Sequence, residues 1–316
     1  MRQSPFEATH AREWDEFEAF LEQKKSFDPA EMPSRFRRVC QNLALAAERR
    51  YSADLVDRLN RLALRGHHAL YVNRRRESQQ VLEFMLAGFP RLVRQEWRLV
   101  AAATLLFFGP LLGLLGLLQV FPDFVHYLLA PEQIANFHAM YDPANRRIGM
   151  READTNVMMF GFYIWNNVRI GFQTFAGGIL FGLGTVFYLL YNGLVIGAVT
   201  GYLVQAGLGT NFFSFTSGHS AFELTAIVLC GAAGLRIGYA LIAPGRRRRV
   251  EALRTAAYAA MPLVIGSSGM LVLAAGIEAF WSPRTELPLQ IKYAFGLGLW
   301  LLTLAYFGMM GRRSAA

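Results

Sequence analysis

His219 and Glu223 stand four residues apart, so on a helix they share one face. An imidazole beside a carboxylate can move a proton, bind a polar substrate or supply two ligands to a metal ion. Four further polar side chains fall inside otherwise apolar stretches: Asn166, Asn167, Arg169 and Asn192. A charge at membrane depth costs roughly 2.5–3.5 kcal/mol on insertion scales, so such groups face the protein interior or a wet cavity. Three readings of the set Asn166, Asn167, Arg169, Asn192, His219 and Glu223 stay open. It is a structural hydrogen-bonded network, a substrate or proton site, or a two-ligand metal position. No HExxH pattern or second His/Cys pair accompanies it, so no metal site is assigned. No Ser–His–Asp arrangement or glycine-rich phosphate loop assembles on one face either. The chain is therefore read as non-enzymatic, with no catalytic residue and no cofactor.

Those residues need helices that cross a membrane. The 316 residues are 53% hydrophobic, and the apolar ones concentrate after Leu99. From Leu99 to Leu118 there is no charge, and about twenty such residues cross the hydrocarbon core. The pattern predicts six spans, at about 99–118, 157–176, 177–204, 220–242, 256–277 and 289–310, with an external loop over 121–156 and room for a short helix in it near Pro131–Met140. The join near Gly177–Gly178 has no polar break, so broken or re-entrant helices are an alternative there.

Charge sets the sidedness. An even number of spans puts both termini on one side, together with the run Arg246–Arg249 and the pair Arg312–Arg313. The positive-inside rule then makes that side the cytoplasm of a cell inner membrane. The loops 121–156 and 278–288 fall outside. Residues 1–40 are charged and contain no apolar signal core, which agrees with a cytoplasmic N-terminus. The net charge of +9 flanks the spans in this way, so nucleic acid is not read as a partner; the lipid bilayer is.

Residues 1–98 read as a cytoplasmic region of amphipathic helices, and 99–316 as the membrane bundle. A helix is predicted over about Ala11–Lys25, broken by Pro29 and Pro33, a second over Ser34–Arg50 and a third from Ser52, a candidate N-cap. Leu55, Val56, Leu59, Leu62 and Ala63 make a stripe on the third. A fourth, about Gln79–Leu99, leads into the membrane past Arg91, Arg94 and Arg98, and the arginines 74–76 lie near His67 and His68. His67 and His68 are adjacent and point to different faces, and Cys40 and Cys230 lack metal-site spacing. The fold class is all-α, a polytopic membrane bundle with an N-terminal helical region.

Glycine carries the other pattern. Gly193, Gly197 and Gly201 repeat every four residues, and Gly109/Gly113 and Gly234/Gly238 do likewise. Such faces let helix backbones approach closely in lipid. They serve either packing within one bundle or a homodimer seam, the latter most naturally on the Gly193–Gly197–Gly201 face.

Several of these segments together resemble the core of the stage II sporulation protein M family. They are Asn166–Asn167, Phe175–Ala176–Gly177–Gly178, Gly182–Leu183–Gly184–Thr185, Asn192–Gly193 with Gly197, the stretch from Gly218 to Ile227, and Gly231 to Arg236. Upstream, Leu59–Asn60–Arg61–Leu62, Arg65–Gly66–His67 and Leu70–Tyr71 resemble the N-terminal region of its Gram-negative members. The chain has Ser217–Gly218–His219–Ser220 where members often have Pro-His-Gly. The resemblance implies a scaffold that organises cell-envelope, peptidoglycan-related partners. It also implies a cytoplasmic partner for residues 1–98, an AAA-type ATPase or a von Willebrand A-type protein. A transporter or channel component, with the six polar residues lining a path, is the competing class.

Overall fold

The computed structural model describes residues 3–22, 31–71, 77–142 and 153–312. Pro29, the arginines 74–76, part 143–152 of the expected loop and Arg313 lie outside the described residues. Among those described, every regular element is a helix. They divide into two units, Met1–Leu82 and Glu83–Ala316, upstream of the boundary expected at residue 98.

The first unit is built from α1 (Gln3–Leu21), α2 (Met32–Glu48) and α3 (Ala53–Tyr71). Each presents one stripe: Phe6, Trp14 and Phe17 on α1, Met32, Val39 and Ala46 on α2, Leu55, Leu59 and Leu62 on α3. These spacings of three, four, seven and eight fall on one helical face, and the three faces close into one core. α1 begins at Gln3, well before the expected Ala11. The cause is a contact distant in sequence. Gln3 donates to Ser52 Oγ at 2.8 Å and accepts from the Ser52 N–H at 3.0 Å, and the Phe6 ring packs on Tyr51. Arg58 pairs with Asp15, and Arg65 with Glu18 and Glu22, across the outside of α1 and α3.

The expected helix over 79–99 is broken. It becomes α4 (Glu77–Glu83), a π-helical turn (Phe84–Gly88) and α5 (Phe89–Gln95). Pro90 lacks an amide donor and interrupts the regular ladder. α5 is also not a simple lead-in. Phe89 is fully buried against Gly266, and Arg94 donates to the carbonyl of Phe307 at 2.7 Å.

Among the described residues, five helices are long and apolar enough to cross a membrane: α6 (Trp97–Val120), α10 (Leu183–Gln205), α12 (Ser220–Ile242), α13 (Arg249–Phe280) and α14 (Leu289–Met309). Preceding α10 are α7 (Val125–Leu128), α8 (Pro131–Tyr141) and α9 (Ala153–Ala176), and α11 (Gly209–Thr216) joins α10 to α12. α9 has 24 residues, about 36 Å of helix, which suffices for a crossing, but Asn166, Asn167 and Arg169 lower its hydropathy. The expected loop 121–156 thus carries helices, among them α8 where a short helix is expected near Pro131–Met140. Tyr141 at the end of α8 is buried, its carbonyl accepts from Asn211, and burial pushes its phenol up to about 12.

α12 is the centre of the bundle. Its apolar window is 67% buried, against 22% for α6 and 17% for α14, which turn most of their surface outward. The order of burial explains why α12 is rich in Gly and Ala: large side chains would hold its neighbours away.

α9 and α10 are separate helices joined by a tight glycine turn. Gly177–Ile179 makes a 3₁₀ turn, and Gly182 takes φ +83°, a left-handed conformation that favours glycine. Gly178 lies against the Gly234 carbonyl and Gly182 against Gly238 of α12. The hydroxyl of Thr185 donates to the carbonyl of Thr174 at 2.7 Å and ties the two helix ends. A turn made of backbone, seated on small residues, needs no polar residue to mark it in sequence.

Candidate functional site

α12 and α13 pack together and run in opposite directions, so the first turn of α12 meets the last turn of α13. His219 ends the loop before α12, and its backbone carbonyl accepts from the N–H groups of Phe222 and Glu223. One turn on, Glu223 rises on the same face. From α13 comes Glu278, expected in a loop but found inside the helix, followed one turn later by Ser282. The longer helix follows from Ala274, Ala275 and Ala279, which are buried on α13 and carry it past Glu278.

The four side chains meet. His219 Nδ1 lies 3.0 Å from Ser282 Oγ, which turns Nε2 toward Glu223 at 3.7 Å. Ligand atoms of His219, Glu223 and Glu278 all lie within 4.8 Å of one another. α9 adds the asparagines: Asn166 Nδ2 donates to Asn167 Oδ1 at 3.1 Å, and Asn167 Nδ2 donates to Glu278 Oε2 at 3.5 Å. Lys292, in the first turn of α14, donates from Nζ to the Ser282 carbonyl at 3.0 Å. Asn167, His219 and Lys292 are exposed by only 2%, 4% and 5%, so this polar clasp joins four helices inside the bundle.

Two expected members stand apart. Arg169 is exposed, its guanidinium over the Trp165 ring at 5.0 Å. Asn192 donates to the Tyr188 carbonyl of its own helix at 2.7 Å. Neither reaches the cluster: Arg169 lies one turn from an aromatic face, and Asn192 bonds back onto its own helix. Glu278, Ser282 and Lys292 were not singled out in sequence. The one signal for the first two is their spacing of four, the same as His219 to Glu223.

The glycine face has a definite occupant. Gly193 lies against the Phe107 carbonyl, Gly197 against Leu111 and Gly201 against the Leu118 side chain. α6 of the same chain therefore fills the Gly193–Gly197–Gly201 face, and a second copy would have to dock elsewhere.

At the other end of α12, Arg236 pairs with Glu96. Around them opens a hollow of about 930 Å³, lined by Trp97, Arg98, Tyr239, Arg246 and Arg247 among others.

The family model for stage II sporulation protein M matches residues 101–283. The chain belongs to the stage II sporulation protein M family. The matched stretch runs from α6 to just beyond α13, and it holds every member of the clasp except Lys292. In this family member, Gly177, Gly178 and Gly182 from the resemblance build the glycine turn, and the stretch from Gly218 builds the start of α12. A second model, a domain of unknown function (DUF8413), matches residues 4–72, the helices α1–α3. No curated protein and no solved structure matches the chain.

Proposed function

We propose that this protein is a non-enzymatic scaffold of the cell inner membrane that organises envelope-related partners around a fixed helical bundle. The observation that carries this reading is the clasp. A conduction path needs its polar groups in a continuous, wetted line. Here Arg169 and Asn192 are turned away, while Asn167 and His219 are almost wholly buried and bonded to neighbouring helices. Such an arrangement fixes helix ends to one another. The glycine contacts between α6 and α10 act in the same sense, because backbones in direct contact have little room to slide.

In this reading α6, α9, α10, α12, α13 and α14 make six crossings. Both termini and the arginines 246–249 lie in the cytoplasm, in keeping with the positive-inside rule. The clasp then lies toward the outer surface. Residues 1–98 present the docking helices for a cytoplasmic partner, an AAA-type ATPase or von Willebrand A-type protein as the family resemblance implies. Leu64 on α3 is 63% exposed and is a suitable anchor for capture.

The test is site-specific photo-crosslinking from Leu64 in cells, with the captured proteins identified by mass spectrometry. An ATPase, a von Willebrand A-type protein or a peptidoglycan-acting protein supports the scaffold. Crosslinks to lipid alone, together with solute uptake by proteoliposomes of the purified chain, would overturn it in favour of transport.

A further inference from the structure

We propose that His219, Glu223 and Glu278 form a divalent metal site that holds the start of α12 to the end of α13. The proposal stands apart from the scaffold reading and does not depend on it. The donor set is the first argument. One imidazole and two carboxylates suit a first-row transition cation such as zinc or manganese, whereas calcium and magnesium prefer oxygen alone. The spacing is the second. Metal bonds of about 2.0–2.2 Å let two ligands share an ion when they stand up to about 4 Å apart. His219 Nε2 and Glu223 are 3.7 Å apart, too far for a hydrogen bond and suited to a shared ion. The widest separation in the trio, within 4.8 Å, closes with a small rotation of a glutamate side chain.

The surroundings are the third argument, and they are those of an oriented ligand. A metal-binding histidine usually engages its other ring nitrogen with a neighbour that fixes the ring. Here Ser282 Oγ meets Nδ1, and Lys292 holds Ser282 in turn through its carbonyl. Asn167 steadies Glu278 from a third helix. The ligand spacing also has a familiar logic: two donors four residues apart, at the cap and in the first turn of α12, and the third from the antiparallel neighbour.

The full chain, purified in detergent, is the material for the test. Metal content is measured by plasma mass spectrometry, then the protein is stripped with EDTA and titrated with Zn²⁺ and with Co²⁺ as a spectroscopic probe. One equivalent per chain, visible Co²⁺ d–d absorption and a thermal midpoint that rises with Zn²⁺ are expected. His219→Asn and Glu278→Gln should abolish the Co²⁺ absorption. Ser282→Ala, which leaves all three ligands, should weaken binding roughly 10–100-fold, and it serves if the ligand variants do not fold. Folded wild-type protein with no bound metal, no Co²⁺ absorption and no thermal response overturns the proposal. So does undiminished binding by folded Glu278→Gln, which would put the metal elsewhere, for instance at His67 and His68.

Discussion

Gly197→Ala adds one methyl group at the place where α10 rests on α6. A Cβ built there would stand 2.6 Å from the Leu111 carbonyl oxygen and 2.8 Å from its Cα. Ordinary contact begins at 3.4 Å, so α6 must retreat by about 0.8 Å. The obstacle is backbone, and α6 is held along its length by Gly193 and Gly201 as well. Overpacking of this kind costs about 1–3 kcal/mol. Replacing a helical glycine by alanine returns up to about 1 kcal/mol. The net loss is up to about 2 kcal/mol, or roughly 4–8 °C in the midpoint of a unit of this size. Gly113 is the control. It lies on α6 with nothing within 4 Å of an added Cβ, so Gly113→Ala gains the helical term without the clash. The two substitutions, identical in chemistry, should shift the midpoint in opposite directions. Thermal unfolding in one detergent, followed by tryptophan fluorescence, reads the difference. Equal midpoints for the two variants would refute the claim that α6 and α10 meet backbone to backbone.

Arg236→Met deprives Glu96 of its partner near the 930 Å³ hollow. The side chains are 30% and 19% exposed, so the cost falls below that of a fully buried pair, at about 1–2 kcal/mol, and adding Glu96→Met should recover most of it in a double-mutant cycle. An unrecovered double variant would mean that the two side chains act separately. In the N-terminal unit, Leu59→Ala should cost about 2–5 kcal/mol, because Leu59 is fully buried. Arg58→Ala should cost under about 1 kcal/mol, because its pairs with Asp15 and Glu18 lie at the surface. Hydrogen exchange across α3 in the full chain separates the two, and equal loss of protection would show that the salt bridges matter as much as the core.

Several elements were legible because a local rule sufficed. The span at 220–242 agrees with α12, where His219 precedes the helix and Ala243 follows it. The stripe Leu55, Leu59 and Leu62 emerged from spacing alone and is buried as expected. Other elements failed for an equally physical reason. α1 starts at Gln3 because Ser52 and Tyr51 receive it, which no local pattern announces. The helix over 79–99 breaks around Pro90, and Phe89 turns inward because Gly266 leaves room for its ring. Glu278 looked like a loop residue because charge at the end of an apolar run marks an interface. It lies instead within α13, drawn to the start of α12.

The sequence by itself determined that this chain crosses a membrane with helices. Hydrocarbon offers the backbone no hydrogen-bonding partner, so long apolar segments must satisfy their own amides. That rule acts along the chain and can be read along it. It also marked Asn166, Asn167, Arg169, Asn192, His219 and Glu223 as residues that need a protein interior, and of these Arg169 is exposed instead. Only the tertiary structure decided which of them meet. His219 and Ser282 are 63 positions apart, and Asn167 and Glu278 are 111 apart. Their meeting depends on the antiparallel packing of α12 on α13 and on the glycines that let α9, α10 and α6 close around them. Packing of that kind is a property of surfaces brought together from distant parts of the chain, and spacing along the chain does not encode it locally.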